Sequence, residues 1–115
     1  MKTQRCCATD PLIKIELDEE LKKHLEDVPD EESLKENSKI LFALAHPLRL
    51  KMAFLLLESD CCVCELVQLV EKKQNLVSHH LSLMRKSGVV DAYMKSGWKY
   101  YKINERAVYI LRGIS

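Results

Sequence analysis

Five cysteines carry the most distinctive chemistry in this 115-residue sequence. Cys61, Cys62 and Cys64 fall within DCCVCEL, between Asp60 and Glu65, while Cys6 and Cys7 are adjacent near the start. Thiolates are soft ligands and select thiophilic ions: Cd(II), Pb(II), Zn(II), Cu(I), or trivalent arsenic and antimony. Four sulfurs suit a tetrahedral ion. Three sulfurs in a pyramid suit As(III), which keeps a lone pair. An odd number of thiols without a secretion signal argues against a disulfide scaffold and for metal binding or thiol chemistry. Thiols in two distant clusters let one ion bridge two parts of a molecule or two subunits, so that binding changes conformational energy.

Local spacing constrains these ligands. Cys62 and Cys64, at i and i+2, point about 200° apart in a regular helix. They share an ion only in a loop or a frayed first turn, and Val63-Cys64-Glu65 reads as such a turn. Helix N-terminal amides there would lower the thiol pKa. Cys61 and Cys64, at i and i+3, share a face if the helix begins earlier, and both pairings stay open. The opposing reading is that the three are small buried apolar residues. Low-pKa thiols also suit a redox or persulfide switch. Cys61-Cys62-Val63-Cys64 is formally C-x-x-C, but an oxidoreductase needs that motif in a βαβ setting and here it sits among helices. No enzyme is expected.

The elements that must position these thiols follow from periodicity. Three Gly and three Pro disfavour an all-β fold, and 47% hydrophobic residues suffice for one domain with a core. Residues 1–15 lack a strong period and read as a mobile arm carrying Cys6 and Cys7, leaving 16–115 as the folded domain. Leu17, Leu21, Leu25 and Val28 mark a helix ended by Pro29. A second helix, 32–45, places Leu34, Ser38, Leu41 and Leu44 on one face. A third, 47–58, opened by Pro47, is apolar on most sides and is expected to be buried all round. A short helix near 62–70 turns Leu66, Leu69 and Val70 inward.

After the polar turn Glu71–Gln74, a helix runs from Asn75, a good N-cap, to Lys86, with Val77, Leu81 and Met84 inward and Gly88 as its left-handed cap. Two β-rich runs, 89–94 and 98–103, flank the loop Lys95-Ser96-Gly97 and form a hairpin. Asn104 caps a last helix, 105–113. A short helix, a turn, a second helix with polar outer positions and then a basic hairpin make a winged helix–turn–helix: mainly α, with a two-stranded wing.

Charge agrees with that reading. Residues 1–38 hold six Lys/Arg against eleven Asp/Glu, net −5, and residues 39–115 hold twelve against six, net +6. A basic C-terminal half suits a phosphate-binding surface. Opposite the inner stripe Val77/Leu81/Met84 lie Asn75, Ser78, His79, Ser82 and Arg85, with Gln74 at the helix entrance. Their amide, hydroxyl and ring-nitrogen groups can reach base edges in the major groove. Arg85, Lys86 and the wing residues Lys95 and Lys99 would contact phosphates. His80 borders the buried stripe and reads as a satisfied core histidine. Neighbours on a helix diverge by about 100°, so His79-His80 is no metal pair. The opening MKTQRCCATD lacks an apolar stretch and no apolar run spans a bilayer, so a cytoplasmic, membrane-free protein is expected.

Residues 40–103 resemble the ArsR/SmtB family of metal-sensing repressors, in ALAHPLRL (43–50), CVCEL (62–66), VSHHLSLMRKSGVV (77–90) and GWKYYKI (97–103). The resemblance implies a homodimer, paired through its first and last helices, that holds an inverted-repeat operator when metal-free and releases it when a toxic metal or metalloid binds. Two recognition helices about 34 Å apart would read the two half-sites. Within the family, an N-terminal cysteine plus CVC is similar to cadmium/lead sensors, and three thiols to arsenic sensors. This chain departs from both: its N-terminal cysteines are adjacent, Cys61 is extra, and Val67 stands three positions after Cys64. The family's other site, on the last helix, is not expected, because NERAVYILRGIS offers Glu105 but no His.

Overall fold

The computed structural model describes residues 18–115. The chain divides into two units, with the boundary between Asp30 and Glu31. The expected arm, with Cys6 and Cys7, lies outside the described residues.

In the first unit, α1 spans Glu19–Lys23 and tightens into a 3-10 turn over His24–Asp27. Asp18 caps α1, its side chain accepting from the Glu20 N–H at 3.1 Å. The helix expected over 17–28 is therefore broken. Pro29 bars Val28 from helical geometry, and Val28 is extended at φ −81°, ψ 135°. The preceding turn closes by the short Val28 N–H to Leu25 C=O bond instead.

The second unit holds everything else. α2 (Glu31–Leu44) and α3 (Pro47–Glu58) meet at a sharp bend. There His46 accepts the Leu48 N–H on Nδ1 at 3.2 Å, capping α3 ahead of its N1 proline. The buried face of α2 is Ile40, Ala43 and Leu44. Of the expected stripe only Leu44 is buried; Leu34 and Leu41 are 38% and 51% exposed. The run Ile40–Leu44 is apolar at every position, so spacing could not choose its inner face. Nor is α3 buried all round. Arg49, Met52, Ala53 and Leu56 line its buried face, and the other apolar residues are half-buried.

β1 (Cys61–Cys62) leads directly into α4 (Val63–Val70), where Leu66 and Val70 face inward while Leu69 is exposed. Glu71, left-handed at φ 55°, caps α4. α5 (Gln74–Lys86) begins one residue earlier than expected, with Lys73 as N-cap. Asn75 instead bonds the Leu76 N–H from within the first turn. Val77, Leu81 and Met84 are fully buried. Each such side chain contributes roughly 1.5–3 kcal/mol of burial. α5 ends in a Schellman motif: Gly88 takes φ +86°, and Val89 N–H reaches Met84 C=O at 2.9 Å.

β2 (Val90–Lys95) and β3 (Trp98–Ile103) pair through a two-residue turn, Ser96-Gly97, with φ values of 52° and 81°. Two successive positive φ angles make it a type I′ turn. The wing was expected to have two strands. β1 adds a third, pairing Cys61 with Tyr101 and Cys62 with Tyr100, in the order β1-β3-β2.

α6 (Glu105–Ile114) is capped by Asn104, which accepts the Arg106 N–H at 2.9 Å and donates to Asp91 at 3.1 Å. An Arg106–Glu36 ion pair at 2.6 Å ties α6 to α2 at the surface, where such a pair is worth at most about 1 kcal/mol. Among the described residues no single helix is long and apolar enough to cross a membrane. α2 and α3 reach that length only as a pair bent by 108°.

Candidate nucleic-acid interface and thiol cluster

Burying Val77, Leu81 and Met84 turns the opposite side of α5 outward. Gln74, Asn75, Ser78, His79, Ser82, Arg85 and Lys86 are all exposed there. Lys95 and Lys99 are exposed at the tip of the wing, so all nine residues singled out in the sequence lie on the surface. Lys99 Nζ sits 5.5 Å from the centroid of the Tyr101 ring, a distance at which the ring face attracts the cation. The tip also exposes Met94 and Trp98, the latter at 62%. Sequence reading counted these two only as strand formers.

A polar clamp holds the recognition helix from beneath. His80 is buried on α5, as its position beside the inner stripe implied. Its Nδ1 lies 3.2 Å from Arg49 Nη1. A guanidinium only donates, so Nδ1 is the acceptor and the ring proton resides on Nε2. Arg49 also donates from Nε to the Ala43 carbonyl at 2.6 Å. One side chain of α3 thereby joins the end of α2 to α5. The His46 and His80 rings lie 4.7 Å apart. Burial, then the neighbouring His46, Arg49 and His79, hold His80 below the ordinary histidine pKa of 6.5, so it is neutral at pH 7. Arg49 was legible in principle, because it stands at i−3, i−4 and i−7 from Met52, Ala53 and Leu56.

The described thiols are free and occupy three different settings. Side chains alternate along a strand, so neighbouring Cys61 and Cys62 face opposite ways. Cys61 is buried, its thiol donating to the Ser59 carbonyl at 3.4 Å. Desolvation, then the nearby Glu65, Cys62 and Asp60, push its pKa up. A buried neutral thiol is a poor ligand, and α4 begins too late for Cys61 and Cys64 to share a helical face. Cys62 is the N-cap of α4. Glu65 accepts the Cys62 N–H at 3.0 Å, and the Cys62 sulfur faces the Glu65 N–H, closing a capping box. The Cys62 N–H foremost, then the Cys62 thiol, lower the Glu65 carboxyl pKa by hydrogen bonding. Cys64, second residue of α4, is exposed.

Cys62 and Cys64 are thus two accessible sulfurs at the N-terminal end of one helix. That donor set fits part of a soft-ion site. Among the described residues no three Cys, His, Asp or Glu side chains gather into a metal centre. Beside the cluster, Tyr93 donates its phenol to Asp60 Oδ2 at 2.6 Å, which pushes the phenol pKa up to about 12.

A helix–turn–helix with an exposed polar recognition face, followed by a basic wing, defines a DNA-binding regulator. Residues 46–92 match the family described as bacterial regulatory protein, arsR family. An HTH-type transcriptional regulator of Methanocaldococcus jannaschii is 32% identical over 83 residues, covering 70% of this chain and 93% of that protein. A cadmium resistance transcriptional regulatory protein CadC homolog of Staphylococcus aureus is 31% identical over 72 residues, 62% of this chain. The chain spans only 60% of that relative's length. Among solved structures, the transcriptional repressor PagR of Bacillus anthracis superposes with a TM-score of 0.67 at 28% identity, covering 75% of this chain and 100% of that one. The chain belongs to the ArsR/SmtB family of DNA-binding transcriptional repressors, whose members are regulators and not enzymes.

Proposed function

We propose that this chain is a repressor whose grip on operator DNA is released by a soft metal or metalloid: Cd(II), Pb(II), Zn(II) or As(III). Cys62 and Cys64 hold the effector, and Cys6 and Cys7, from the same or a second copy, complete its coordination. When bound, the ion would supply sulfur bonds that join these cysteines at one point. The observation that carries the reading is the position of Cys62. It is at once the N-cap of α4, which packs on α5, and a member of the sheet whose hairpin bears Lys95 and Lys99. The name of the cadmium-resistance relative supports the same effector class.

In this reading Gln74, Asn75, Ser78, His79 and Ser82 read bases, while Arg85, Lys86, Lys95 and Lys99 hold phosphates. Two copies pair through the outward faces of α6 and of α2, which takes the place of the expected first helix because Leu41 and Phe42 stand exposed there beside Tyr109 and Ile114 on α6, and together read an inverted repeat. Coupling between effector and DNA of about 1–3 kcal/mol, or 5- to 150-fold, is the usual range for such a device. The test is titration of a duplex selected by the metal-free chain, with and without Cd(II), Pb(II) and As(III). Release by at least one of the three, lost when all five cysteines become serine, is expected. DNA affinity unchanged by all three sinks the proposal. Release by an oxidant but not by metals would instead assign the thiols to redox or persulfide sensing.

A further inference from the structure

Strand register puts a tyrosine pair between the thiols and the wing. Cys62 stands directly opposite Tyr100, and Tyr100 directly opposite Tyr93. Residues directly opposite in a sheet share a face, so the three side chains form one row across β1, β3 and β2. The Tyr93 and Tyr100 rings stack 5.8 Å apart, inclined by only 19°. Tyr93 then reaches back over the row and donates to Asp60, two residues before Cys62. Asp60, Cys62, Tyr100 and Tyr93 thus make a closed circuit of backbone, strand pairing, ring stacking and one short hydrogen bond.

We infer that Tyr93 is a positioning residue that conveys the state of the Cys62 thiol to the DNA-binding wing. The inference rests on the reading of Cys62 as an effector ligand. Beyond the tyrosine row the wing has little else to fix its angle, since Met94, Lys95, Trp98 and Lys99 are all exposed. Lys95 lies two residues from Tyr93 and Trp98 two from Tyr100, both on the tyrosine face, about 7 Å farther along the strands. A shift of the segment 60–62 drawn toward an ion therefore acts on the tip through Asp60 and Tyr93. The phenol stays protonated, and so remains a donor, at any physiological pH. By linkage the effect is reciprocal: bound DNA must weaken ion binding by the same factor.

Tyr93→Phe isolates the claim, because it keeps the ring and its stacking and deletes only the hydroxyl. The full chain, with Cd(II) as the probe and a duplex selected by the metal-free wild type, gives three readouts: metal-free DNA affinity, thiolate-to-cadmium absorption, and the loss of DNA affinity on adding Cd(II). For Tyr93→Phe the first two should stay within about twofold of wild type while the cadmium-induced loss shrinks by about tenfold. Asp60→Ala should do the same from the other side, and Asp60→Asn, which keeps an acceptor, should restore most of the response. Equal cadmium-induced loss in wild type and Tyr93→Phe overturns the inference alone. So does a drop in metal-free affinity as large as the lost response, which marks a merely structural role. A wild type that ignores Cd(II) overturns this inference together with the effector reading.

Discussion

α5 and α2 are both amphipathic helices of similar length, yet the structure resolves them differently. α5 buries its whole apolar stripe within its own chain and adds a polar clamp, His80 on Arg49. α2 buries only its C-terminal turn and leaves Leu34, Leu41 and Phe42 outside. A helix that must present a fixed surface to DNA is finished inside the protomer. A helix that leaves apolar side chains in water is completed, in the proposed reading, by the second copy. The contrast shows that exposure of an expected stripe is informative only beside a neighbouring helix whose stripe is fully covered.

The sharpest way to break the comparison is a pair of truncations. Leu81→Ala removes a fully buried side chain and should cost about 3–4 kcal/mol in urea denaturation at every protein concentration. Leu41→Ala should cost clearly less, and only at concentrations where two copies pair, as read by sedimentation. Equal, concentration-independent losses would erase the distinction.

Next in size is Arg49→Met. It strips the donor from His80 Nδ1 and from the Ala43 carbonyl, at an expected cost of about 2 kcal/mol. The clamp also sets a pH dependence. His80 has a depressed native pKa, so it is neutral in the folded chain when the unfolded chain begins to protonate at 6.5. Its contribution is fully present above that pH and is lost as the pH falls from there toward the depressed native value. His80→Gln should flatten that part of the profile of unfolding free energy against pH.

Arg85→Ala tests the outer face of α5. It should leave stability within about 0.5 kcal/mol and lower the salt dependence of DNA binding by about one unit of slope, with affinity falling on all sequences alike. The smallest effect belongs to a site in neither helix. Ser96 occupies a left-handed position in the wing turn, and Ser96→Asn should raise the thermal midpoint by the equivalent of about 0.5 kcal/mol.

Much of this architecture was legible in the sequence. The inner stripe of α5, the Gly88 cap, Asn104 at the head of α6 and the hairpin each follow from local chemistry: spacing, a positive φ, a side-chain cap, a short loop bearing glycine. The outward ring of candidate DNA contacts follows automatically once the stripe is known. What was not legible depends on partners distant in sequence. β1 has two residues and its pairing partners lie about forty positions away, so nothing local marks it as a strand. Its existence decides that Cys61 is buried and Cys62 is not, a division the spacing had left open. The rotation of α2 was hidden because five consecutive apolar residues give no phase. The clamp was hidden because Arg49 reads as a surface residue until its register with Met52 and Leu56 is noticed.

The two-sidedness of α5 has an evolutionary consequence. Everything that anchors the helix points one way and everything that could recognise a base points the other. In the proposed reading, substitutions at Ser78, His79 or Ser82 would retarget the protein to a new promoter at little cost to folding, so a lineage carrying this scaffold could rewire its regulon one side chain at a time.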